Sequence, residues 1–257
     1  MGPEQLDEIF AQTLNGDCDD ESAWEAVRTL RRMGSREVFE RAAKWCSSGN
    51  PSKRARGADV LAQLGRTVDN SNNNFPEESF SVVSALAPLE KYPWPLSSAI
   101  HALGSIGNAL AVPPIIEHRL HPDNDVRFAV ASALGNFAND PRSVDALLGL
   151  MQDIDEDVRD WATFGLGVLG DVDSPEIRDA LWQRVSDTSR DVREESLVGL
   201  AKRKDQRALP ALIDELNQPE ISTRVIEAAD AFLVDKERAA DRSPGEYVVA
   251  LKKNFSF

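Results

Sequence analysis

The chain has 257 residues, 42% of them apolar, and a formal net charge of −14. That length and apolar share support a buried core, while the acidity argues against an extensive phosphate-contacting surface. No run approaches the ~18 apolar residues of a transmembrane helix. The opening MGPEQLDEIF has neither a basic and apolar leader pattern nor the Ser or Thr that marks myristoylation. Cys18 and Cys46 sit in no paired motif and read as free thiols. A cytoplasmic protein is therefore expected.

Charge is uneven along the chain. Residues 1–27 hold eight acids and no Lys or Arg, residues 28–66 carry a net +7, and residues 140–187 carry a net −8. Taken in order, Trp24–Met33 and Arg36–Cys46 are expected as a first helical pair after an acidic segment over 1–20. Arg54–Gly65 is a further helix. Arg66–Ser79 contains Asn70-Ser71-Asn72-Asn73-Asn74 and no apolar period, so it reads as an exposed insertion at 66–79, with its partner helix at Phe80–Tyr92. Ala102-Leu103-Gly104 recurs as Ala133-Leu134-Gly135, and a helix around Val112–Arg119 lies between them.

From there one phrase repeats. Asp125-Val126-Arg127, Asp157-Val158-Arg159 and Asp191-Val192-Arg193 follow at steps of 32 and 34, and Ser222-Thr223-Arg224 reads as a degraded copy 31 residues on. A period of this length, with apolar helical content, belongs to stacked helical hairpins. The central copy shows the logic. Asp153–Asp157 cap a helix start and complement its positive end. Val158, Ala162, Leu166 and Leu169 then form one face, and Gly170-Asp171 ends the helix. Ser174-Pro175-Glu176 opens a second helix, on which Ile177, Ala180, Leu181 and Val185 face inward. Helices over Val126–Phe137, Pro141–Met151, Val192–Ala201 and Ala208–Leu216 fit the same template. The tail Asp235–Phe257, with Tyr247, Phe255 and Phe257, departs from the period and reads as a cap.

The phrases Asp123–Gly135, Asp155–Gly170 and Asp191–Lys204 resemble bacterial HEAT repeats of the short, phycobilin-lyase-like type. The resemblance is close over about residues 95–218 and weaker over 20–92. It implies an all-α fold, a right-handed α-solenoid of about six to seven helical hairpins, with first helices convex and second helices concave. A single solenoid over 1–257 is expected: divergent repeats over 20–92, regular repeats over 93–218 and a capping repeat over 219–257. Such stacks serve as scaffolds, adaptors, regulatory subunits, chromophore lyases and DNA glycosylases, so the resemblance implies no single activity.

Residues that repeat serve the repeat. The Asp/Arg ladder of residues 125, 127, 157, 159, 191 and 193 is therefore read as bridging neighbouring repeats and setting their register. Residues that break the repeat are the candidates for function. One slot holds Ala129, Trp161 and Glu195, and is expected to border the surface. Another holds Gly149, Trp182 and Asp214, where Trp182 has the character of an interface anchor. Within the acidic segment, Asp145, Asp160, Glu176 and Asp179 are not fully explained by helix capping. The expected partner-binding set is Trp161, Trp182, Glu176, Asp179, Glu195 and Asp214.

His118, His121 and Asp123 have a weak ligand spacing, but His near a helix C-terminus more simply answers the helix dipole. The chain carries no HExxH, no His-Glu pair and no phosphate-cradling glycine motif, and Cys46 has no neighbouring His. No metal, cofactor or catalytic residue is assigned. The basic segment 28–66 is read as pairing internally with the acids of 4–25. The reading favours a non-catalytic interaction scaffold that binds a basic protein partner, either a regulatory adaptor or an immunity or antitoxin-like protein that covers a basic toxin. A bilin lyase-like subunit is the alternative. A nucleic-acid-binding protein resembling the HEAT-like glycosylases would have to use the basic N-terminal third with Trp24 and Trp45, against the overall charge.

Overall fold

Helix starts in this chain are written in its proline, aspartate and asparagine residues. In a computed structural model that describes residues 2–233 and 242–255, Pro opens α4 (Pro51–Ala62), α5 (Pro76–Leu86), α6 (Pro93–Ile106), α9 (Pro141–Leu150) and α11 (Pro175–Arg184). Asp20 caps α2 (Glu21–Met33), Asp123 caps α8 (Asn124–Gly135) and Asp155 caps α10 (Glu156–Phe164), each accepting two backbone N–H groups. The remaining helices are α1 (Pro3–Gln12), α3 (Arg36–Cys46), α7 (Val112–Ile116), α12 (Arg190–Lys202), α13 (Leu209–Leu216), α14 (Thr223–Leu233) and α15 (Pro244–Phe255). The described residues contain no strand.

The chain divides into two compact units, one through Phe137 and one from Ala138. Within the first, α4 packs on α6 and α6 on α8, each the opening helix of a repeat. Within the second, α10 packs on α12 and α12 on α14, while α11 lies on α12 and α13 contacts α14 and α15. This is the ladder of the α-solenoid class, read inside each unit. Val126, Val158, Val192 and Val225 occupy the third position of successive opening helices and are all buried. That frame corrects the fourth copy of the phrase. Val225, not Thr223, is the valine of the repeat, so Arg224 stands where the earlier copies carry Asp125, Asp157 and Asp191.

The arginines of the repeated phrase close their own turns. Arg127 Nη1 donates to the carbonyls of His121 and Pro122 at 2.9 and 3.1 Å. Arg159 does the same to Asp153 and Ile154, and Arg193 to Asp187 and Thr188. Arg159 also forms a two-pronged pair with Asp187 of the following repeat, at 3.0 and 2.9 Å. The expected inter-repeat bridge therefore exists at Arg159, but its acceptor is a loop aspartate rather than the aspartate of the phrase.

Helix α10 does not end as its apolar spacing predicts. Residues Gly165–Leu169 form a π-helical turn, with Gly170 N donating to the Gly165 carbonyl at 2.9 Å. The wider turn rotates the register, and Leu169, expected on the inner face, is 44% exposed. Arg203 collects the carbonyls of this segment, donating to Leu166 at 2.8 Å, Gly167 at 3.2 Å and Val172 at 2.7 Å. Gly167 and Gly199 let two helices touch by backbone: a Cβ at 199 would lie 2.7 Å from the Gly167 Cα.

The segment 66–79 is not a free insertion. Asn73 is 7% exposed; its Nδ2 donates to the Leu61 carbonyl at 2.8 Å, and its Oδ1 accepts from Phe75 N at 2.8 Å. Asn74 Nδ2 reaches the Gly34 carbonyl at 2.9 Å, which ties the end of α2 to the segment after α4. Helix α5 begins at Pro76, inside the range expected to be insertion. The acidic start is also more ordered than its charge suggests: α1 buries Leu6 and Phe10, and Phe10 meets Trp45 edge-on at 4.9 Å. Asp7 pairs with Arg41, and Glu21 and Glu25 pair with Arg28 and Arg32, so part of the basic stretch is engaged by the acids before it, while Arg36 pairs with Glu78 and Arg54 with Glu90. At the other end, Tyr247 Oη donates to Asp230 at 2.7 Å, and Phe255 meets Phe232. Phe257 lies outside the described residues.

Two outcomes follow for stability. Asn73→Ala strands a buried carbonyl and a backbone N–H, and lowers the urea midpoint by the equivalent of about 2–3 kcal/mol with an unchanged slope. Gly199→Ala drives a methyl into Gly167 and costs about 1–3 kcal/mol in thermal melts, whereas Gly149→Ala, whose Cβ meets nothing within 4 Å, gains up to about 1 kcal/mol.

Candidate functional site

Trp161 and Glu195, the members of their slot that break the repeat, lie on opening helices of the second unit, and the structure turns Glu195 inward. Trp161 is partly buried on α10 and meets Phe164 edge-on at 5.6 Å. Glu195, expected near the surface, is only 7% exposed, because Arg224 from α14 folds over it with a 2.8 Å ion pair. The guanidinium of Arg224 also lies 5.2 Å from the Phe164 ring and pairs with Glu227 at 3.0 Å. Trp161, Phe164, Arg224 and Glu195 thus form one chain of contacts across α10, α12 and α14.

Asp160 joins this group by its electrostatics. Burial raises its pKa to about 6, reinforced by Asp191 and Asp157 and opposed by Arg224. Burial likewise raises Glu195 to about 7, opposed by Arg224 and reinforced by Asp160 and Glu227. Among the described residues, Asp160 Oδ1 and Glu195 Oε2 are buried without a hydrogen-bond partner. Arg224 thus serves Glu195 and Glu227 with Asp160 nearby, three carboxylates around one guanidinium, and one oxygen each of Asp160 and Glu195 is left without a donor among the described residues.

The other four expected residues fall elsewhere. Asp179 and Trp182 share a face of α11 and are joined by Arg207, which donates to Asp179 at 2.7 Å and lies 5.9 Å from the Trp182 ring. Trp182 is 40% exposed, so it has the character of an anchor, but Asp179 is already neutralised. Glu176 is exposed in the first turn of α11, and Asp214 is exposed on α13. The expected set is therefore two groups rather than one: Trp161 with Glu195 on opening helices, and Glu176, Asp179 and Trp182 on α11, with Asp214 on α13.

Phe164 and Glu227 were not singled out from the sequence, and Arg224 only as part of the degraded phrase. For Glu227 a signal was present: Asp160, Glu194 and Glu227 share the slot two residues beyond the buried valine, a run of acids through consecutive repeats. Much of the remaining acidic segment is engaged locally. Asp140 caps α9 and binds Arg142, which holds its pKa down at about 2, Asp173 pairs with Arg178, and Asp187 with Arg159 and Arg184.

The histidine and cysteine candidates have ordinary roles here. His121 Nδ1 accepts from Asp123 N at 3.2 Å, part of the turn before α8. The described residues hold no group of three metal-ligating side chains. Burial pushes the Cys46 thiol up to about 12, away from the reactive thiolate. No described helix is long and apolar enough to cross a membrane.

Comparison with known proteins agrees with this architecture. The HEAT repeats family matches residues 84–167. Protein YibA of Escherichia coli K12 is 29% identical over 210 residues, which cover 79% of this chain and 72% of YibA. The X-ray structure of the E. coli YibA protein superposes with a TM-score of 0.72 at 24% identity, over 97% of this chain and 95% of that one. The complex of CpcE and CpcF of phycocyanin lyase from Nostoc gives a TM-score of 0.52 at 13% identity, over 96% and 94% of the two chains, a likeness of fold alone.

The pKa of Asp160 gives a signed prediction. An acid whose folded pKa lies above its unfolded value destabilises the fold when ionised. The penalty is complete above about pH 6 and vanishes as pH falls toward the unfolded value near 4. Asp160→Asn therefore stabilises the protein at pH 8 by about 1 kcal/mol, after allowance for solvent screening, and the gain disappears at pH 4 to 5 in paired melts.

Proposed function

We propose that this chain, whose residues 84–167 match the HEAT repeats family, is a non-catalytic protein-binding module whose second unit receives a basic partner. The observation behind this reading is the pair of buried carboxylate oxygens, Asp160 Oδ1 and Glu195 Oε2, that have no donor among the described residues and lie in a group with Trp161 and Phe164. These oxygens are sealed inside the unit, so a lysine or arginine presented by a partner is drawn to the group's negative charge at the partly exposed Asp160, and the aromatic rings supply apolar contact beside it. The net charge of −14 favours encounter with a positive surface. Trp182, Glu176 and Asp214 form a second exposed set on α11 and α13. A concrete form of the reading is an immunity or antitoxin-like protein covering a basic toxin such as a nuclease; a regulatory adaptor is the more general form.

The test is affinity capture from native lysate, with and without nuclease, followed by titration of the captured protein at rising salt. The expected result is a basic protein retained after nuclease treatment. Its affinity falls at least about 30-fold on Asp160→Lys and about tenfold on Trp161→Ala, with the α-helical signal of both variants unchanged. Recovery of nucleic acid or a coloured tetrapyrrole in place of a protein overturns the reading, as does a captured protein indifferent to both substitutions.

A further inference from the structure

The first unit contains a cavity of about 390 Å³ that the binding reading above does not use. Its walls include Trp24 of α2, Trp94, Ser97 and His101 of α6, and Phe128 of α8, with Asp125 at its exposed rim. Its volume lies within the range of small-molecule sites, and aromatic walls with a few polar groups are the usual make-up of such sites.

Which polar groups remain uncommitted decides what it can hold. The two arginines beside the cavity are engaged. Arg31 donates to the Asp59 carbonyl at 2.9 and 2.7 Å and to Gln63 at 3.3 Å. Arg56, 1% exposed, lies between the Trp24 and Trp94 rings at 5.0 and 5.2 Å and donates to Thr13, Asp17, Cys18 and Asp59. Buried Asp59 is occupied in turn by Arg56 and Ser98. Neither of these two guanidiniums is left for a phosphate or carboxylate, and the rim, with Asp19 and Asp125, is acidic.

Ser97 and His101 differ. They stand four residues apart on one face of α6. Ser97 Oγ is buried and has no hydrogen-bond partner among the described residues. The His101 ring meets Phe128 edge-on at 5.8 Å and makes no hydrogen bond among the described residues. Burial lowers its pKa to about 4, so at neutral pH it offers one donor nitrogen and one acceptor nitrogen. A hydroxyl and a neutral imidazole, side by side beneath flat aromatic walls, match a ring that carries its own donors and acceptors.

We propose that this cavity binds a small, planar nitrogen heterocycle, uncharged or cationic, stacked against its aromatic walls and hydrogen-bonded by Ser97 and His101. The test is saturation-transfer NMR followed by calorimetry on the full chain, with adenine, cytosine, benzimidazole and nicotinamide as probes, and with adenosine against adenosine monophosphate as a charge pair. At least one heterocycle is expected to bind with a submillimolar Kd. Ser97→Ala and His101→Phe each weaken it about tenfold, Ser105→Trp, which fills the cavity, abolishes it, and the monophosphate binds more weakly than adenosine. Thermal melts of the three variants establish that they fold. Ser97→Ala removes one oxygen and keeps the test valid even where a larger substitution unfolds the unit. Failure of every probe to saturate, or binding unchanged in Ser97→Ala and His101→Phe, overturns the proposal. Neither result bears on the second unit's partner, because none of these residues belongs to it.

Discussion

Arginine bound to backbone carbonyls holds this fold together. Every helix leaves carbonyls at its end and amides at its start, and a chain of short helices has many of both. Aspartates and prolines answer the starts; arginines answer the carbonyls. Arg127, Arg159 and Arg193 close the turn before their own helices, Arg203 gathers the carbonyls around the π-helical turn, and Arg56 gathers those after α1. A planar fork of donors suits this task better than a lysine ammonium, which presents a point charge on a flexible stem.

The same constraint explains the protein's electrostatics. Guanidiniums directed at carbonyls, such as those of Arg56, Arg159 and Arg203, are buried, while Arg32, Arg36 and Arg142 pair with carboxylates and stay exposed. Where one arginine serves too many acids, as Arg224 does for Glu195 and Glu227 near Asp160, a negative excess is left in a partly buried place. That imbalance distinguishes this group from the satisfied pairs around it, and it is the ground on which a basic partner was inferred.

The architecture was legible in the sequence because the repeat is written in residues that every copy needs: the buried valine, the turn-closing arginine and the small residues where helices meet. Three features were not legible, each for a physical reason. The asparagine stretch is a loop, as its composition indicates, yet asparagine's paired donor and acceptor let buried Asn73 and exposed Asn74 satisfy backbone groups of the neighbouring helices. The π-helical turn changes no residue type and only shifts phase, so Leu169 counted as inner by spacing and lies outside by geometry. The burial of Glu195 depends on Arg224, a residue one repeat away, and its placement required the frame set by Val225 rather than by the degraded phrase. The candidate residues were chosen as departures from the repeat, and their division into two groups follows from which helix of each hairpin carries them.

The turn-closing arginines also bear on how such a protein changes over generations. Their acceptors at positions such as 121, 122, 153 and 154 are main-chain oxygens, which every amino acid supplies. Substitution in these loops leaves the latch in place whatever side chain arrives. Loop positions such as Ile154, whose side chain is exposed, are thereby open to selection by whatever they meet, unlike His121 and Asp153, whose side chains also brace their turns, while duplication of a whole repeat carries its latch along complete.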